Sequence, residues 1–307
     1  RYPLIAKRMN NASRPRIDCF FVDFNCIIHS ALLNNKTIDE ESSEEEIIKS
    51  LFHTLDILVQ VTRPTSLLFI SVDGPAPFAK CQQQRIRRFS RDKKPDPTST
   101  FSSNSISVGT EFMENLLHKL LDFIQERIRH DINWSQPKII YSSARTPGEG
   151  EHKFFEFVRA QKKFGHWNDN ALCCVYSPDA DLIFVCLQSH IKNMCIIRES
   201  NAMFPEVKPK SSTNDSGIKY FANDFVLISV NLIREYLFLD FQTDDSRLFD
   251  DFTALSYLIG NDFIPHIPDI SLERGEFSII VELYKTQFLQ KKKFLVEDLS
   301  FNSKNLS

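Results

Sequence analysis

Residues 66–91 read SLLFISVDGPAPFAKCQQQRIRRFSR. A mostly apolar run closes on Asp73, Gly-Pro-Ala-Pro breaks it, and a basic segment without a single acid follows. Short continuous runs of aliphatic and aromatic residues mark strands buried on both faces. The same grammar recurs at 17–23 (IDCFFVD), 138–143 (KIIYSS) and 171–177 (ALCCVYS), each run ending on an acid or a few residues before an acid pair. Helical patterns lie between them, at 44–60, 78–91, 109–131 and 150–162. Strand alternating with helix predicts an α/β fold, a mostly parallel central sheet with helices on both faces.

Composition narrows the function classes. With 307 residues the chain can bury a sizeable core, and a net charge of −3 gives no global attraction for a polyanion. Any nucleic-acid surface must be local. Seven cysteines without a C-x-x-C pattern predict a reducing, intracellular compartment, cytoplasmic or nuclear. No apolar run is long enough to span a membrane, and no secretory leader is expected. The first residue is Arg, so the natural start is expected upstream. Pro, Ser and Thr at 92–108 predict a mobile loop, as does the polar stretch 207–218. Residues 1–285 are expected to form one domain, with 286–307 a Lys- and Ser-rich tail or the start of a further region.

Ligands of an open parallel sheet bind outside the carboxyl ends of its strands. Acids gather there in this chain. Asp23 and Asp73 close two strands, Glu149 and Glu151 follow the third, and Asp179 and Asp181 follow the fourth. Asp262 follows a helix that Gly260 terminates. Seven carboxylates on one edge repel each other unless divalent cations neutralise them, and hard oxygen donors select Mg²⁺ or Mn²⁺. The bland alternatives are local. Thr146–Glu149 has the form of a capping box, and Ser177-Pro178-Asp179 that of an ordinary helix start. His152 and His266 lack zinc-ligand spacing and read as structural.

On a helix over 78–91, Lys80, Gln84, Arg87, Arg88 and Arg91 fall on one face. Like charges at that spacing are destabilising, and an anion compensates them; Arg and Gln supply the donors that grip phosphate. A solvated basic face is the alternative. A phosphate pocket beside a carboxylate–metal cluster describes phosphodiester hydrolysis by two metals.

Seven stretches then resemble one family. RYPLI, VDFNCIIH, LLFISVDGPAPFAKCQQQRIRRF, SISVGTEFM, TPGEGEHK, SPDADLI and IGNDFIPHIP occur in the order of the Xrn-type 5′→3′ exoribonucleases, over residues 1 to about 270. The resemblance implies a PIN-like 5′-nuclease (flap-endonuclease-like) fold and Mg²⁺-dependent, processive degradation of RNA bearing a 5′ monophosphate, as in mRNA decay. It implies metal ligation by Asp23, Asp73, Glu149, Glu151, Asp179, Asp181 and Asp262, and a 5′-phosphate pocket of Lys80, Gln84, Arg87 and Arg88. It also implies that His29 stacks on the terminal base. The implied partners are RNA with a 5′ monophosphate and decapping or other RNA-decay factors, with no membrane and no small-molecule cofactor.

This chain departs from the family at Cys26, which stands where the family has Gly. By the resemblance these 307 residues alone are also expected to lack the short segment before RYPLI and the downstream region that encloses the active site, so weak, distributive action is expected of them. The rival readings are a DNA 5′ flap nuclease on the same fold and a catalytically silent RNA-binding module.

Overall fold

The β2 (Cys19–Asp23) and β3 (Leu67–Ser71) strands are buried at every residue, as expected of strands covered on both faces. Side chains alternate across such strands. Phe20, Val22, Leu68 and Ile70 therefore join one cluster with helices α1 (Phe24–Leu33), α2 (Glu44–Thr62), α4 (Glu111–His130) and the short α5 (Ile132–Ser135), while Phe21 turns the other way. There it stacks on Phe154 of α6 (Gly150–Lys163), with ring centroids 4.4 Å apart, and Phe69 meets Phe157 at 5.5 Å. Helices cover both faces.

The computed structural model describes residues 2–9, 14–33, 44–92, 105–179, 181–200, 213–214, 217–218, 225–270, 272–297 and 300–302. The loop expected at 92–108 falls largely outside them, and so does most of 207–218. Two compact units emerge: Ala6–Pro178 with Lys192–Ser229, and Arg1–Ile5 with Asp179–Ile191 and Val230–Ser307.

The first unit holds a seven-stranded sheet. Strand β1 is Ala6–Arg8, β4 Lys138–Ser142, β5 Leu172–Tyr176, β6 Asn193–Glu199 and β7 Phe225–Ser229. Their order is β1-β7-β6-β5-β2-β3-β4; β6, β5, β2, β3 and β4 run parallel, and β7 and β1 join antiparallel. The chain lays down β2, β3 and β4 in one direction, then β5 and β6 on the other side of β2. The order reverses between β2 and β5, and the crevice outside such a switch point is where α/β sheets bind ligands. Asp23 ends β2 at that place.

The second unit is helical, with α7 (Leu182–Gln188), α8 (Val230–Phe241), α9 (Arg247–Ser256) and α10 (Glu276–Gln287). Arg234 of α8 donates to the carbonyls of Cys186, Leu187 and Ile191, satisfying the C-terminal end of α7. Asp251 is fully buried and accepts from Tyr284 Oη at 2.6 Å and from the Leu295 and Val296 amides, each at 2.8 Å. Those bonds tie residues 295–296, in the segment that reads in sequence as an unpatterned tail, to α9. No helix among the described residues is long and apolar enough to cross a membrane.

Candidate metal centre and anion-binding helix

Asp23 Oδ1 accepts from the Asn25 amide at 3.0 Å, and Oδ2 from the Cys26 thiol at 3.2 Å. Cys26 Sγ lies 3.5 Å from Ser177 Oγ, just past β5. Burial, followed by the Asp73 and Glu151 charges, holds the Asp23 carboxyl well above the ordinary carboxylate range, against the thiol and amide bonds. A buried acid so placed could share a cation.

Asp73 stands two residues past β3. Its amide donates to Asn25 Oδ1 at 3.0 Å, and its Oδ1 accepts from the Gly150 amide at 2.7 Å. Asn25 thus links the β2 and β3 ends, and Gly150 links Asp73 to the start of α6. A Cβ on Gly150 would stand 2.8 Å from Asp23 Oδ1 and 3.1 Å from Ser71 Oγ, so only glycine lets the helix come this near.

Glu149 and Glu151 flank that glycine. Helix α6 begins at Gly150, with Glu149 in the N-cap position but making no side-chain cap bond. The capping-box alternative, with Thr146 as the cap, does not hold, because Gly148 at φ +101° keeps the chain out of helix there. The buried Glu149 carboxylate instead meets Lys80 through Oε1, as an ion pair without hydrogen-bond geometry. The Gly74 amide donates to Gly148 O at 2.9 Å and the Gly148 amide to Pro75 O at 3.2 Å, stitching the Asp73 loop to the Glu149 loop.

His152 Nε2 lies 3.9 Å from Glu149 Oε2 and 3.9 Å from Glu151 Oε1, and ligand atoms of the three residues fall within 4.8 Å of one another. The sequence reading of His152 as merely structural leaves out this placement on the first turn of α6. Burial depresses its pKa, opposed by Glu149 and reinforced by Lys80, favouring the neutral ring that binds metals. Carboxylate oxygens in excess of nearby cations, one of them on a buried, charge-strained acid, fit a hard divalent cation.

Helix α3 (Phe78–Asp92) carries the basic stripe. Lys80 reaches Glu149, Gln84 is half-buried, and the side chains of Arg87 and Arg88 lie outside the described residues. His29 sits half-buried on α1. Asp179, Asp181 and Asp262 belong to the helical unit. Asp181 occupies the N-cap position of α7 without a side-chain cap bond, and Asp179 is exposed. Asp262 follows the φ +80° turn at Gly260, which ends a 3₁₀ turn as the sequence predicts. His266 is exposed.

A parallel sheet with its order reversing at Asp23, and acids on the loops beside it, has the architecture of the PIN-like 5′-nucleases. A solved structure titled "The catalytic core of Rad2 in complex with DNA substrate (complex III)" shares this fold, with a TM-score of 0.51 and 15% identity, over 92% of this chain and 66% of that one. The chain belongs to the XRN 5′-3′ exonuclease N-terminus family, whose model matches residues 1–200, and the Xrn1 helical domain model matches residues 242–306. It is 35% identical to 5′-3′ exoribonuclease 1 of Schizosaccharomyces pombe and 33% identical to 5′-3′ exoribonuclease 1 of Homo sapiens, each over 93% of this chain. It spans 23% and 18% of the length of those relatives.

Proposed function

We propose that this chain is the nuclease region of a Mg²⁺-dependent, processive 5′→3′ exoribonuclease, acting on RNA with a 5′ monophosphate. Family membership sets the class, and the Lys80–Glu149 ion pair is the observation that carries the mechanism. Through that pair α3, read here as the helix that takes the terminal phosphate, meets one acid of the cluster. A terminal phosphate on Lys80, Gln84, Arg87 and Arg88 would fix the distance to the bond being cut, and a pocket for one phosphate excludes caps and triphosphates. Asp23, Asp73, Glu149 and Glu151 would hold two divalent ions, with Asp179, Asp181 and Asp262 completing the ligand set and His29 stacking on the terminal base. When bound, such ions neutralise the phosphodiester and activate water. Asn25, Gly150 and Cys26 orient the acids before any ion arrives.

The reading carries a cytoplasmic place in RNA decay, with decapping or decay factors as partners, and a nuclease domain over 1–285. Digestion of 5′-monophosphate, 5′-hydroxyl and 5′-triphosphate RNA, with and without Mg²⁺, tests it. Only the monophosphate with Mg²⁺ should be degraded efficiently. Equal cleavage of a 5′-hydroxyl DNA flap would favour the flap-nuclease reading, and RNA binding without any cleavage the silent module.

A further inference from the structure

Lys153 is a buried cation to which the hydrolysis assigns no task. It lies on the first turn of α6 with 5% of its surface exposed. Lysines are seldom buried so completely unless paired. Here the ammonium donates to Val72 O at 2.6 Å and to Ser143 O at 3.0 Å. Val72 immediately precedes Asp73, Ser143 follows β4, and the Lys153 amide donates to Glu149 O at 3.1 Å. One side chain therefore spans the ends of β3 and β4 and the helix start that bears Glu149 and Glu151. Burial pulls its pKa below the ordinary lysine range, and the Asp73 and Asp23 carboxylates pull it back up.

We propose that Lys153 is a positioning residue and the resident counter-cation of the acid cluster. It holds the Asp73 loop and the α6 start together before a metal arrives, and its charge sets how tightly the site takes a divalent cation. Clustered carboxylates repel one another. A fixed positive charge behind them relieves part of that repulsion inside the fold, where salt screens little. The same charge opposes an incoming cation, so metal affinity is held below what the acids alone would give. The inference rests on the reading of these acids as a divalent-metal centre.

The test is Mn²⁺ binding to the 307-residue chain, followed by titration and by the Mn²⁺-induced rise in Tm, for the wild type, Lys153→Gln, Lys153→Met and Lys153→Arg. Both neutral variants should melt lower without metal yet bind Mn²⁺ about tenfold tighter, equivalent to about 1.4 kcal/mol. Their Mn²⁺-induced Tm rise should exceed that of the wild type, and Lys153→Arg should keep wild-type affinity. Lys153→Gln retains a donor for a carbonyl and decides the matter if Lys153→Met does not fold. A purely mechanical clamp predicts unchanged or weaker Mn²⁺ binding in the neutral variants, and either result overturns the proposal. A wild-type chain that takes up no Mn²⁺ would refute the metal-centre reading itself, and the proposal with it.

Discussion

Replacing Gly150 by Ala tests the geometry of the centre with a single methyl group. The backbone there lies outside the left-handed region, so alanine is conformationally acceptable and the effect is steric. The new Cβ would stand 2.8 Å from Asp23 Oδ1, 3.0 Å from Asp23 Cγ and 3.1 Å from Ser71 Oγ. Comfortable contacts begin at about 3.4–3.5 Å, so roughly half an ångström must be found. Asp23 cannot easily yield it, because Asn25 and Cys26 hold its two oxygens. Nor can Ser71, which is fully buried and donates to Val22 O at 3.2 Å. The start of α6 must move instead, carrying Glu149 and Glu151 outward.

Overpacking of this kind costs about 1–3 kcal/mol. A misplacement of 1 Å costs about a hundredfold in rate, so half that distance predicts a loss of about tenfold. Thermal melting would read the first quantity, and single-turnover decay of labelled 5′-monophosphate RNA in Mg²⁺ the second. Binding of the same RNA without turnover should fall less than the rate, since the shift reaches the stripe on α3 through the Lys80–Glu149 pair. A Gly150→Ala protein with wild-type Tm and wild-type rate would refute the close approach and the argument built on it.

Three further outcomes are expected. Asp23→Asn should raise the metal-free Tm at neutral pH, by about 2–4 °C for each kcal/mol gained. A carboxyl raised above its unfolded pKa stabilises the fold in its protonated form, and that stability is lost as pH climbs from near 4 through the folded value. The advantage of Asp23→Asn should therefore shrink on acidification, and a gain that does not vary with pH would show the raised pKa is not its source. Arg87→Ala or Arg88→Ala should weaken binding of 5′-monophosphate RNA about tenfold to a hundredfold, the loss of a hydrogen bond to a charged group. Equal losses on 5′-hydroxyl RNA would mark a general backbone-binding face. Asp181→Ala should abolish turnover while leaving the circular dichroism spectrum and the melt intact, and near-normal Mg²⁺-dependent activity would remove it from the ligand set.

The strand-end acids were legible because a charge placed at the mouth of an apolar run conflicts with its neighbours, and the conflict shows in the letters. Strands β2 to β5 fall within two residues of the runs read from sequence, for the same reason. Lys153 was illegible: within KFFEFV it reads as one more helix-surface lysine, and only the β3 and β4 ends make it internal. Asn25 gains its role from the Asp73 amide, 48 residues away. The reading did not mark β6 and β7 as strands. The β7 strand owes its place to antiparallel pairing with both β6 and β1, a long-range arrangement that no local pattern announces. The helix read over 150–162 starts at Gly150 as expected, and the capping-box alternative at TPGE fails because the left-handed Gly148 keeps the chain out of helix there.

The two reciprocal bonds between the Gly74 and Gly148 loops make a two-rung ladder outside the sheet, and a Cβ on Gly74 would stand 1.9 Å from the Thr146 carbonyl. Asp73 and Glu149 come from distant parts of the chain, yet they ride on one stiff body. Thermal agitation then moves them in phase, and their separation fluctuates less than either position does. The entropy of bringing the two carboxylates to a common spacing is surrendered when the chain folds, and a cation held by them as proposed would have little left to order. In hydrogen exchange the Gly74 and Gly148 amides should open together, on the timescale of the sheet rather than that of a surface loop.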